Sequence, residues 1–207
     1  MSPFEKRTPW NKGKAVGAKK PLNFDQVRQI RDYLERKKKY RDLALFCCAF
    51  DTLLRGIDLL RITVGDIQNQ EGSIRTELSI RQQKTGRSIL VALSPYTQSV
   101  VADWIKIAGL TTQNFLFVKK RSISSHPIST DTYRKLVKSW VKEALGLDPA
   151  DYSSHSLRRT KATMVYEKTK NIEAVRHLLG HQALSSTSAY LNTSEREALR
   201  IAAEFHL

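Results

Sequence analysis

"SIRTELSIRQQKTGRSILVAL", residues 73–93, decides how this chain folds, because here the apolar residues return at every second position. Ile74, Thr76, Leu78 and Ile80 share one face of an extended strand, and "SILVAL" (88–93) is a second apolar run. Side chains on a strand alternate between faces, so the pattern describes half-buried β-structure. Between the two runs "RQQKTGR" (81–87) supplies turn chemistry at Gly86. The segment reads as a hairpin with Lys84 near its tip.

On both sides of the hairpin the periodicity becomes helical. Upstream, Phe24, Val27, Ile30 and Leu34 form a stripe opened by Asn23, with Gln26 at the reciprocal capping position. A second helix is expected over "RDLALFCCAFDTLL" (41–54), ending near Gly56, and a short third over "IDLLRI" (57–62). Downstream, one helix follows Pro95 with Val100, Val101, Trp104 and Ile105. Another follows Ser129 with Tyr133, Leu136, Val137, Trp140 and Leu145, and stops at Gly146. "NFLFV" (114–118) reads as a further short strand. "SSHSLRRTKATMVYEKT" (153–169) begins with capping serines, "NIEAVRHLLG" (171–180) runs from an Asn171 cap to a Gly180 stop, and "SEREALRIAAEFHL" (194–207) reads as a last amphipathic helix. The fold class is therefore α+β, mainly α-helical, with one small antiparallel sheet in a single domain over residues 21–207.

Residues 1–20 precede this domain as a flexible basic arm. They hold Lys6, Arg7, Lys12, Lys14, Lys19 and Lys20 against a single Glu5, with prolines and glycines interleaved. Such an arm either follows a phosphate backbone or remains a solvated tail. The whole chain of 207 residues carries 35 Lys+Arg against 20 Asp+Glu, a formal charge of +15, which points to a polyanionic partner. Nucleic acid fits best, since phosphate neutralisation with counterion release rewards many dispersed cations, with a generally basic soluble protein as the alternative on charge alone. No apolar run approaches the ~18 residues of a membrane span, and the N-terminus lacks the apolar centre of a signal peptide. A soluble, cytoplasmic protein is expected. The two cysteines, Cys47 and Cys48, are adjacent within "LALFCCAF", where core packing rather than a disulfide is expected.

"HLLGHQALSSTSAY" (177–190) invites a metal reading, which its residues do not sustain. His177 and His181 enclose Leu178, Leu179 and Gly180, with no glutamate to act as base and with a glycine that ends the helix between them. No Cys-x-x-Cys pair or neighbouring acidic cluster supplies more ligands, and no Walker A motif occurs. His177 reads as a structural helix-end residue. Metal-free phosphoryl transfer requires a nucleophile, cations to balance a pentacoordinate phosphate, and proton donors and acceptors for the entering and leaving oxygens.

Arg55 in "LLRGIDLL", Lys84 in "RQQKTGR", His155 and Arg158 in "HSLRR", His181 in "LLGH" and Tyr190 nine residues later occur in this order. Together they resemble the catalytic pattern of the tyrosine recombinase (phage integrase) family, over residues 21–207. The resemblance implies a site-specific DNA recombinase that cleaves and rejoins strands through a 3′-phosphotyrosine intermediate, without metal or cofactor. Arg55 and Arg158 would clamp the scissile phosphate, and Asp58 would buttress the site unless it serves only its helix N-terminus. Lys84 would protonate the departing 5′-oxygen, a role open also to Lys119 or Lys120. His155 would exchange a proton with the tyrosine or the phosphate, His181 would hydrogen-bond a phosphate oxygen, and Tyr190 would attack. Lys12, Lys14, Lys19, Lys20, Arg87 and Arg159 are the expected DNA-backbone contacts.

Family members generally carry a helical clamp domain ahead of the catalytic one, and only the basic arm precedes it here. The chain reads either as a short member or as a catalytic fragment. The resemblance further implies a homotetramer on DNA through the C-terminal helix, with DNA-bending accessory proteins, in the nucleoid of a bacterium or phage host. Two alternatives stay open: a type IB topoisomerase-like enzyme, and a non-catalytic DNA-binding regulator that has kept the fold.

Overall fold

The computed structural model describes residues 19–118 and 126–191. Lys12, Lys14, Lys119, Lys120 and the amphipathic segment 194–207 lie outside the described residues. The chain enters through α1 (Phe24–Arg36), where Asn23 and Gln26 form the expected reciprocal cap, and Val27, Ile30 and Leu34 are buried. The second helix, α2 (Tyr40–Thr52), is the central rod. Its residues from Arg41 to Ala49 are all buried, so every face is covered and no single stripe suffices. Arg41 is tolerated there because its guanidinium meets the Asp42 carboxylate at 2.7 Å.

Two short helices, α3 (Gly56–Leu60) and α4 (Val64–Ile67), lead to the hairpin. Strands β1 (Glu77–Arg81) and β2 (Ser88–Ala92) pair antiparallel, with Leu78 opposite Val91 and Ile80 opposite Ile89. Leu78 and Val91 are buried, as the alternation requires. Then follow α5 (Pro95–Ala108), α6 (Thr130–Leu145), a 3₁₀ turn over Pro149–Asp151, α7 (Ser154–Thr169), α8 (Ile172–Leu179) and α9 (Leu184–Leu191). The "NFLFV" segment is not a strand. It contributes an isolated bridge, Thr63 to Phe115, and the Leu116 N–H donates to the Ile62 carbonyl, because its apolar residues plug the core instead of extending the hairpin.

The large core lies where α2 meets α1, α5 and α6, with Trp140 edge-on to Phe46 at 5.8 Å between centroids. Cys47 and Cys48 are free thiols inside it, and burial pushes Cys47 up to about 12, so neither is a nucleophile at neutral pH. A second, smaller core gathers Leu53, Ala162, Val175 and Leu179, with Leu191 packed against it. It joins the end of α2 to α7, α8 and α9. Leu53 takes a left-handed backbone conformation, φ 51°, which turns the chain out of α2 toward Arg55. Burial of its side chain in the small core holds that unfavourable geometry.

Candidate active site

Arg55 is the residue just before α3, and Arg158 sits one turn into α7, a helix capped by Ser153 and Ser156 in a reciprocal pair. Arg158 is only 3% exposed, and its Nη2 donates to the Leu179 carbonyl at 2.6 Å, one of the last carbonyls of α8. Arg55 Nη1 is buried and meets no hydrogen-bond partner among the described residues. A buried cationic N–H without an acceptor is costly unless an anion completes it.

Two of the histidines belong to the same cluster. Burial and the guanidiniums of Arg158 and Arg55 hold His181 down at about 4, and the same three causes lower His155 from its ordinary value. Both arginines therefore act on both histidines, and the structure brings together four of the six residues singled out from the sequence. His181 lies just past Gly180, with its Nδ1 3.2 Å from the hydroxyl of the fully buried Thr187. The backbone around it is stapled to α8: Arg176 Nη1 donates to the His181 carbonyl at 2.9 Å and to the Gln182 carbonyl at 3.2 Å. His177 is held on its own helix. It is exposed and lies 3.3 Å from Glu173, as a helix-end residue should.

Gly180 explains how the hairpin reaches this cluster. Its φ of +61° ends α8 in the left-handed region, and a Cβ there would stand 2.6 Å from Gln82 Nε2 and 2.9 Å from Ile89 Cγ2. Only a residue without a side chain allows the hairpin to sit so close. Lys84 is exposed in the 83–85 turn, and its neighbour Gln83 donates its N–H to Asp58 Oδ1 at 2.8 Å. Asp58, 2% exposed in α3, thus ties the lysine-bearing turn to the helix that follows Arg55. A cleft of about 520 Å³ between β2 and the end of α8 is lined by Arg87, Arg176 and His181.

Residue 190 is carried by α9, a helix that the polar run "LSSTSAYL" did not suggest; the side chain of Tyr190 lies outside the described part of the structure. Leu191 at its end rests on the small core, and Thr187 is fully buried. Three of the cations expected on the DNA backbone make contacts within the domain. Arg159 is 8% exposed and donates to the Lys19 carbonyl at 3.2 Å, so it is held inside the domain. Lys19 Nζ donates to the Ala150 carbonyl at 2.6 Å and Lys20 pairs with Asp151 at 2.6 Å, which builds the end of the supposed arm into the domain surface. The Lys20 backbone N–H also donates to the Asp151 carbonyl, fixing the approach to α1. Thr187, Arg176 and Gln82 were missed in the sequence; Gly180 was read there only as a helix stop.

A model described as "Phage integrase family" matches residues 20–197. The chain belongs to the phage integrase family. Among its relatives, tyrosine recombinase XerC of Vibrio atlanticus (strain LGP32) is 29% identical over 175 residues, which cover 83% of this chain and 53% of that protein. The probable integrase/recombinase YoeC of Bacillus subtilis (strain 168) is 28% identical over 84% of this chain and 88% of its own length. The chain spans about half the length of the XerC proteins it matches, 53% in one and 48% in another. The fold is that of a solved XerH site-specific recombinase bound to palindromic difH substrate in a post-cleavage complex. The TM-score is 0.71 at 20% identity, over 90% of this chain and 53% of that one. Among the described residues no helix is long and apolar enough to cross a membrane.

Proposed function

We propose that this chain is a site-specific DNA recombinase that breaks and rejoins one strand at a time through Tyr190. The observation that carries the reading is the cationic pair: buried Arg158 fixed on the Leu179 carbonyl, half-buried Arg55 with one buried N–H that meets no acceptor among the described residues, and both bearing on His155 and His181. A phosphate diester offers the acceptor that Arg55 Nη1 lacks among the described residues, and two guanidinium forks match its non-bridging oxygens.

In the proposed reaction the Tyr190 phenol oxygen bonds to phosphorus and the bond from phosphorus to the 5′-oxygen breaks. His155, lowered from its ordinary value by burial and by the Arg158 and Arg55 guanidiniums, accepts the phenol proton. Lys84 gives a proton to the departing 5′-oxygen. The phosphate ester energy stays in the 3′-phosphotyrosine, so attack by a 5′-hydroxyl reverses the step and no cofactor is consumed. The role proposed for neutral His181 requires the tautomer with the proton on Nε2, in which Nδ1 accepts from the Thr187 hydroxyl 3.2 Å away and Nε2 donates to the phosphate. Exposed Arg87 beside the cleft, together with Lys12 and Lys14, follows the DNA backbone. Assembly as a homotetramer on DNA through segment 194–207, help from DNA-bending proteins, action on a mobile element and residence in the nucleoid complete the proposal.

The test is covalent capture. The protein is incubated in EDTA with nicked duplexes of randomised sequence, and DNA that survives denaturation attached to protein is sequenced. A defined site, recovered with the wild type and lost with Tyr190→Phe, is expected. Absence of any adduct overturns the enzymatic reading in favour of a DNA-binding regulator, while an adduct that persists in Tyr190→Phe moves the nucleophile elsewhere.

A further inference from the structure

Gln82 is 1% exposed, although it lies one residue beyond β1 at the mouth of a solvent-facing turn. Its backbone closes that turn: its N–H donates to the Arg87 carbonyl and its carbonyl accepts from the Gly86 N–H, both at 2.8 Å. The side chain does something different. Oε1 accepts from the Thr85 hydroxyl at 2.8 Å, while Nε2 is buried without a hydrogen-bond partner among the described residues and lies against Gly180. The amide therefore spans from the residue after Lys84 to the residue before His181.

A side chain kept only for packing would not be an amide. An apolar residue of similar length fills the same slot against Gly180 and Ile89 with no orphaned donor to desolvate. What the amide adds is the Thr85 hydrogen bond, which fixes the turn from its inner side, as the bond from Gln83 to Asp58 fixes it from the other. Lys84 itself is exposed and has four flexible side-chain carbons, so the placement of its ammonium depends on the rigidity of residues 82–87.

We propose that Gln82 is a positioning residue: its amide locks the Lys84 turn onto the end of α8, and so sets where the lysine proton arrives relative to the phosphate held by the arginines and His181. The inference rests on the reading of Lys84 as the proton donor. Its effect passes through Lys84, so loss of Gln82 is a defect in leaving-group protonation and leaves phosphate binding intact. Thr85, as the partner of the amide, shares the defect.

The experiment uses the duplex recovered by covalent capture, in two forms: the natural phosphodiester, and one with sulfur in place of the 5′-bridging oxygen. A thiolate departs without being protonated, so the sulfur substrate does not need the lysine. Single-turnover adduct formation is measured for the wild type, Lys84→Ala, Gln82→Leu and Thr85→Val, the last leaving the buried slot undisturbed. On the phosphodiester, Gln82→Leu and Thr85→Val are expected to slow cleavage roughly 10²-fold, the scale of a misplacement of about 1 Å. On the sulfur substrate they return to within about threefold of wild type, as Lys84→Ala does. Recovery of Lys84→Ala without recovery of the other two overturns the positioning role, as does cleavage of the phosphodiester by Thr85→Val at the wild-type rate. If Lys84→Ala itself does not recover, the reading of Lys84 as the proton donor falls, and the role of Gln82 falls with it.

Discussion

Arg158 and Lys84 carry the same formal charge, but the protein holds them in opposite ways. Arg158 is 3% exposed, rises from a capped sixteen-residue helix and is anchored on the Leu179 carbonyl. Lys84 is exposed on a hairpin turn, and what is anchored is its neighbours, Gln83 on Asp58 and Thr85 on Gln82. The difference matches the two tasks proposed for them. A clamp for developing charge must be preorganised before DNA arrives, whereas a proton donor must reach the leaving oxygen and withdraw.

The contrast predicts separable phenotypes. Arg158→Ala should have the largest effect. Cleavage falls by at least roughly 10²–10³-fold, as when a preorganised charge-stabilising donor is removed. The fold also weakens by about 1–3 kcal/mol, because the Leu179 carbonyl loses its charged donor. Thermal melting and single-turnover cleavage measure the two parts, and a variant that loses activity without losing stability would break the distinction. Lys84→Ala should come next, with cleavage reduced roughly 10²-fold or more. Its melting temperature stays at the wild-type value, since an exposed turn residue contributes within about 0.5 kcal/mol.

Gly180→Ala sharpens the comparison from between the two regions. The added Cβ meets Gln82 and Ile89 at 2.6 and 2.9 Å on a backbone at φ +61°. A cost of about 2 kcal/mol or more is expected, which lowers the melting temperature by roughly 5 °C for a chain of this size. Unchanged melting would mean that the hairpin does not rest on the end of α8.

The smallest effect expected is on titration. His181 is held at about 4 against an ordinary 6.5, so it remains neutral at pH 5.5, where a free imidazole is charged. On acidification the unfolded chain takes up this proton first. The stability contributed by the neutral ring is complete above about 6.5 and is lost as the pH falls toward 4. Nuclear magnetic resonance of the ring nitrogens should show this value rising in Arg55→Ala, because a neighbouring cation that opposes protonation has been removed. A value that stays put would place the Arg55 guanidinium too far away to act on the ring.

Much of the domain was legible from local patterns. The reciprocal cap at Asn23, the Asn171 start and Gly180 stop of α8, and the hairpin over residues 77–92 are all dictated by neighbours in the chain, so periodicity and capping chemistry suffice. The elements that escaped depend on distant partners. In α9, "LSSTSAYL" has little helical preference of its own, and its register is set by Thr187 against His181 and by Leu191 on the small core. "NFLFV" has the composition of a strand, but it pairs only through an isolated bridge because its apolar residues are drawn into the core. Arg159 looked like a surface cation beside Arg158; one residue further along α7, it faces the docked chain at Lys19 instead.

By itself the sequence determined the succession of elements and the basic character of the chain, because these follow from residue type and spacing, and it holds Arg55, Lys84, His155, Arg158, His181 and Tyr190 in the order that resembles the family's catalytic pattern. Tertiary structure alone decided which cations are buried and which are exposed. It also turned Gly180 from a helix stop into the seat of the hairpin and placed the Gln82 amide between Thr85 and Gly180. Burial and hydrogen-bond partners come from segments as much as a hundred or more residues apart, as Arg159 and Lys19 are, and no local pattern encodes them.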